Sequence, residues 1–123
     1  MAEESGRVTS HREAIVRLRI VGGEPVDCLI DTGFTGALVL PQTLIDALSL
    51  KIIGRQMFEM VGGRRMIASI ALIELEWLGA NQTFRVIVTE DSFIGTEMLD
   101  GSQLIIDYVG HTVTIRRESA AAA

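Results

Sequence analysis

At 123 residues, with 48% hydrophobic and 22% charged side chains, the chain has the composition of a single globular domain and not of a disordered segment. A net charge of −5 argues against a nucleic-acid partner, because phosphate affinity needs clustered Lys and Arg. No apolar run reaches the roughly 20 residues of a membrane-spanning helix, so no membrane partner is expected. Cys28 is the single cysteine, which excludes an internal disulfide and fits a reducing, cytoplasmic setting.

Residues 1–12 are polar and aperiodic, and are expected to form a flexible N-terminal segment, not a secretory signal. The folded domain is expected over 13–117, with 118–123 a flexible, alanine-rich tail. Within the domain the apolar period is mostly two. Val16, Leu18 and Ile20 share one face of a strand whose other face carries Arg17 and Arg19. Gly22-Gly23 breaks that run as a hairpin does, and Pro25 to Ile30 reads as a second strand ending at Asp31. Ala37 to Leu40 is a short buried strand, and Pro41 sets the start of a helix over Gln42 to Leu48.

The second half is again β. Ile52-Ile53 and Gln56 to Val61 are two strands or one bent strand, and Gly62-Gly63 turns the chain. Met66 to Trp77 follows as a long strand with Ile73, Leu75 and Trp77 alternating against Glu74 and Glu76. Phe84, Val86 and Val88 alternate with Arg85, Ile87 and Thr89. Glu97 to Asp100 suits one helical turn stopped by Gly101, and Leu104 to Ile106 and Thr112 to Ile115 close the series around a turn at Gly110. Many short strands with one or two short helices predict a mainly β protein, a small closed barrel.

The chemistry concentrates at Leu29-Ile30-Asp31-Thr32-Gly33. A carboxylate at the end of an apolar strand costs several kcal/mol unless it is paired or hydrogen-bonded, so Asp31 needs compensation. Thr32 offers a hydroxyl, and Gly33 lets the backbone approach and present its N–H. Taken alone, the triplet reads more simply as an Asx-turn at a strand end. Phe93-Ile94-Gly95 forms a tight buried corner before a helical turn, and Met57 to Ala68 reads as a hairpin with a flexible tip.

Together, in this order on a short chain, these three features resemble the retropepsin-like aspartic peptidases, in particular their single-lobe microbial members. The resemblance covers roughly residues 13–117 and implies the acid-protease β-barrel. Leu29 to Gly33 matches the catalytic strand and loop, with Asp31 as the catalytic acid and Thr32 and Gly33 as its support. Phe93-Ile94-Gly95 with Leu104 to Asp107 matches the second signature and the last strands. The hairpin at Val61, Gly62, Gly63 and Arg64 sits where the family keeps its flap. Phe34, Ile94 and Gly95 are implied beside the substrate groove, with Val61 a further wall. Two departures stand out. Phe34 follows the triplet where the family often has Ser or Ala, narrowing the groove, and Arg64-Arg65 replaces a glycine-rich flap tip.

One Asp-Thr-Gly triplet per chain supplies half of the two-carboxylate site that such peptidases use. The resemblance therefore implies a homodimer joined across the active site, acting on an extended peptide or protein substrate, with no cofactor or metal. Two other functions fit the same residues: a non-catalytic peptide-binding or dimerisation module, and a protease that processes only its own chain. Cys28 alternates onto the face opposite Asp31 and is expected to be a buried, inert thiol. Trp77 is expected in the core.

Overall fold

The protein is described here as a computed structural model covering residues 2–59 and 62–118. Ten strands and two short helices follow one another: β1 (Ala2–Val8), β2 (Ala14–Ile20), β3 (Val26–Ile30), β4 (Leu38–Pro41), α1 (Gln42–Ala47), β5 (Ile52–Glu59), β6 (Arg65–Trp77), β7 (Ala80–Thr89), β8 (Phe93–Ile94), α2 (Thr96–Leu99), β9 (Gln103–Asp107) and β10 (Thr112–Arg117). The mainly β class agrees with the apolar period of two. In β2, Ala14, Val16, Leu18 and Ile20 are buried while Arg17 and Arg19 face out. In β6, Ala71, Ile73, Leu75 and Trp77 are buried while Leu72, Glu74 and Glu76 are exposed.

The strands form one sheet in the order β5-β6-β7-β4-β8-β3-β2-β1-β10-β9. A further antiparallel pairing, Arg19 with Glu76 and Ile20 with Leu75, joins β2 back to β6 and curls the sheet over its apolar face. Most neighbours are antiparallel, but β3–β8 and β4–β7 run parallel, so four strands from distant parts of the chain meet at the centre. The core is aliphatic, as the scarcity of aromatics requires. Trp77 is its one tryptophan, and its indole N–H donates to the Met98 carbonyl at 3.3 Å, fastening β6 to α2. β5 is a single strand with a register shift between Ile52 and Gly54.

The expectation of a loose segment over 1–12 is corrected for most of its length. Residues 2–8 form β1, which pairs with β10 over Ala2 to Arg7 and with β2 over Gly6 to Val8. The strand escapes the usual pattern because one of its two buried residues, beside Val8, is Glu4, which is only 3% exposed. The Arg19 guanidinium donates to both Glu4 oxygens, at 3.0 and 2.9 Å, and the Leu78 N–H adds a third bond at 2.8 Å. Leu78 and Gly79 have positive φ, 50° and 83°, and form the two-residue turn between β6 and β7. Leucine rarely adopts that conformation, so the carboxylate braces a turn that sterics disfavour. On the outer face, Asp27 accepts from Arg7 and Arg17, and the Arg7 guanidinium first, then Arg17, holds its carboxyl below the usual range. Met1, Met60, Val61 and residues 119–123 lie outside the described residues, so of the expected tail only Glu118 is described, and it lies in no helix or strand.

Glu4→Ala should lower unfolding free energy by about 2–3 kcal/mol, the lower end for breaking a buried pair because Arg19 is itself half-exposed. Urea unfolding checks this, and Glu4→Gln, which keeps an acceptor for Leu78, should lose less.

Candidate active site

The site grows out of the parallel pairing of β3 with β8, Leu29 opposite Phe93 and Ile30 opposite Ile94. The ladder continues one step past the strand, where the Asp31 N–H donates to the Ile94 carbonyl at 2.9 Å. The chain then turns. Phe34 N–H returns to the Asp31 carbonyl at 3.1 Å, and Gly33 N–H donates to Asp31 Oδ1 at 3.0 Å. This is the Asx-turn expected at the strand end, and the bond that satisfies the carboxylate also fixes its orientation. Asp31 is half-buried, while Thr32 and Gly33 are exposed.

A second loop locks the first. The N–H groups of Gly95, Thr96 and Glu97 donate to the carbonyls of Ala37, Phe34 and Gly36, at 2.9, 2.8 and 3.2 Å. The two loops touch so closely that a β-carbon on Gly95 would collide with the Gly36 carbonyl oxygen and come within 2.5 Å of the Phe34 ring. A β-carbon on Gly36 would meet the same ring at 2.5 Å, with no backbone atom among its nearest neighbours. Phe34 therefore folds back over two glycines, which explains how a large ring fits directly after the triplet.

Asp31, Gly33 and Phe34 border a cleft of about 640 Å³. Its floor carries Val39 of β4, Ile87 of β7 and Phe93 of β8, and the β5–β6 hairpin closes it with Gln56, Phe58 and Met66. Gly62 and Gly63, at φ 91° and 78°, turn the chain in that hairpin, and Arg64 beside them is exposed. Val61, expected at the tip and as a groove wall, lies outside the described residues. A second concavity of the same volume, between Gly22 to Val26 and α1, has Glu24 as its only titratable side chain.

Two expected groove residues are corrected. Ile94 is fully buried in the core, and its neighbour Phe93 faces the cleft instead, because successive side chains of a strand point to opposite faces. Gly95 is buried against the 34–37 segment, beneath the loop that carries Asp31, and does not border the cleft. Val39 and Ile87 carried the same signal in the sequence: each lies one residue from core positions, Leu38 and Leu40 or Val86 and Val88. Phe58 and Met66 pair across the hairpin, and this was legible only once the register was set. Cys28 is fully buried, and that burial, with Asp27 nearby, pushes its thiol up to about 12. It stays protonated and unreactive at neutral pH.

The fold is similar to those of solved structures, among them two proteases. A retropepsin-like aspartic protease from Rickettsia conorii superposes with a TM-score of 0.68 at 13% identity, over 94% of this chain and 90% of that one. EIAV protease, in complex with the inhibitor HBY-793, superposes with a TM-score of 0.58 at 18% identity, over 74% of this chain and 88% of that one. The fold is that of the retropepsin-like aspartic proteases. No protein-family model and no curated protein sequence matches the chain. Within the retropepsin-like fold, the parallel β3–β8 pair and the interlocked loops are the parts that place Asp31.

The loop contacts predict contrasting alanine effects. Gly36→Ala should cost about 1–3 kcal/mol, as overpacking does, and Phe34→Ala should recover most of that cost in the double mutant. Gly95→Ala should not be rescued by Phe34→Ala, because its collision is with backbone. Chemical denaturation of the single and double mutants measures both outcomes.

Proposed function

We propose that the chain is an aspartic endopeptidase whose catalytic pair consists of Asp31 from each of two copies, with Thr32 and Gly33 supporting each carboxylate. The observation carrying this reading is the half-buried Asp31 carboxylate, held by Gly33 N–H in the Asp-Thr-Gly loop of a retropepsin-like fold and open to a cleft under a hairpin. One such triplet exists per chain, so a two-fold pairing is the direct way to assemble two acids.

The chemistry follows from proximity. Two carboxylates about 3 Å apart repel when both are charged, so the reaction uses one ionised and one protonated Asp31. The ionised Asp31 takes a proton from a water as it attacks the scissile carbonyl. The protonated Asp31 donates to the carbonyl oxygen and stabilises the charge that develops there. Collapse of the tetrahedral species returns a proton to the leaving amine, and no covalent enzyme intermediate forms. An extended peptide suits the cleft, because the β5–β6 hairpin can hold it by strand-like hydrogen bonds while Val39, Phe58, Met66 and Phe93 receive apolar side chains. Phe34 forms an aromatic wall beside the reacting carbonyl.

Asp31→Asn should abolish cleavage of a peptide library while circular dichroism stays that of the wild type. Undiminished cleavage would remove Asp31 from the reaction and leave a peptide-binding module as the better reading. A shared site also requires activity per mole of chain to fall on dilution below the dimer dissociation constant. Flat specific activity down to concentrations where sizing gives a monomer would rule out two-copy assembly.

A further inference from the structure

The chain places its phenylalanines at the cleft and not in the core. Three of the four, Phe34, Phe58 and Phe93, border the cleft, while Phe84 packs against the aliphatic interior. The three rings come from separate elements: the loop after Asp31, β5 of the hairpin, and β8. The titratable groups beside them are all acids. Among the described residues, the cleft is bordered by Asp31, Glu59 and Asp91 and by no Lys, Arg or His. Glu59 stands opposite Arg65 in the β5–β6 register, which offsets its charge. Asp91 has no such neighbour: among the described residues its carboxylate is in no ion pair and accepts no hydrogen bond.

We infer that the cleft selects substrates carrying an arginine or lysine side chain, which lies over the Phe93 ring and pairs with the Asp91 carboxylate. This rests on the peptide-cleaving reading above and names its substrate class.

The backbone holds both groups of this subsite. Asp91 N–H donates to Thr89 Oγ1 at 3.0 Å, and the Ser92 carbonyl accepts from Leu29 N–H at 3.0 Å, so residue 91 is fixed on either side. Asp91 precedes Phe93 by two residues, a step of about 7 Å in extended chain, and both border the cleft. A cation between them meets a carboxylate and the negative face of a ring. A neutral side chain in that place leaves Asp91 without a partner as the substrate excludes water, and an acidic one adds repulsion. The same two groups therefore attract one class of side chain and reject another.

The register also says how far this position is from the cut. Phe93 lies opposite Leu29 in the parallel pair, and Asp31 follows Leu29 by two residues. Asp91 is thus offset from the catalytic carboxylate by four residue steps, about 13 Å. The selected side chain belongs no more than about four residues from the scissile bond, and two-fold pairing repeats the position on the other side. Arg64 and Arg65, at the exposed hairpin tip, are not among the described residues that border the cleft.

The test measures selectivity twice on the full chain. Peptides that differ only in arginine against citrulline, its uncharged near-isostere, are offered to the wild type for cleavage and to the inactive Asp31→Asn variant for binding. Arginine should be favoured about tenfold in kcat/KM and in Kd. Asp91→Asn, added to either protein, should bring both ratios close to one, and Asp91→Lys should make the matching glutamate peptide the preferred one. Asp91 is exposed, so both variants should keep the wild-type circular dichroism. Cleavage with no preference for arginine, or a preference that survives Asp91→Asn, would overturn this inference and leave the peptidase reading standing. Selective binding of arginine peptides that no form of the chain cuts would remove the peptidase reading and leave the cation subsite in place. A chain that neither binds nor cuts any of the peptides would end both.

Discussion

A carboxylate placed where an apolar strand ends needs hydrogen-bond donors at once, and backbone N–H groups are the nearest supply. The rest of the structure depends on how Asp31 meets that need. Its own loop turns so that Gly33 N–H reaches Oδ1, and its backbone N–H is taken by Ile94 on the parallel neighbour. The turn holds its shape because three N–H groups of the 95–97 segment bond to the carbonyls of 34, 36 and 37. Two loops more than 50 residues apart in sequence thus behave as one rigid piece.

This piece sits where the sheet changes character. Parallel strands need long connections, and the β3–β8 and β4–β7 pairs are closed by everything between them, including the β5–β6 hairpin. One chain segment therefore both builds the parallel centre and supplies the roof of the cleft. The glycines at 36 and 95 are required by the Phe34 ring and by backbone contact, not by unusual dihedral angles. Phe34 departs from the small residue often found after the triplet in the family, and it works as a packing element whose other side faces the cleft.

The opposite end of the sheet is held by a different interaction. Glu4 is a buried acid whose partners come from β2 and from the turn after β6, so the first strand is fixed by charge pairing at Glu4 as well as by apolar burial at Val8. Removing β1 would expose β10 and leave Arg19 and the Leu78 turn without their brace.

The sequence by itself determined the strands with a period-two apolar pattern, the two short helices, the core position of Trp77 and the isolation of Cys28, because these follow from local alternation and from counting. It also singled out Asp31 with Thr32 and Gly33, since an acid after Leu29-Ile30 demands an explanation within a few residues. Tertiary structure alone decided that β1 is a strand, because one of its two buried residues is a glutamate whose partner, Arg19, is distant in sequence. It likewise decided that Phe93 and not Ile94 faces the cleft, because a two-residue strand takes its parity from neighbours supplied by distant segments. Local patterns fix which residues want to be buried; only the pairing of remote strands fixes which face becomes the core and which becomes the cleft.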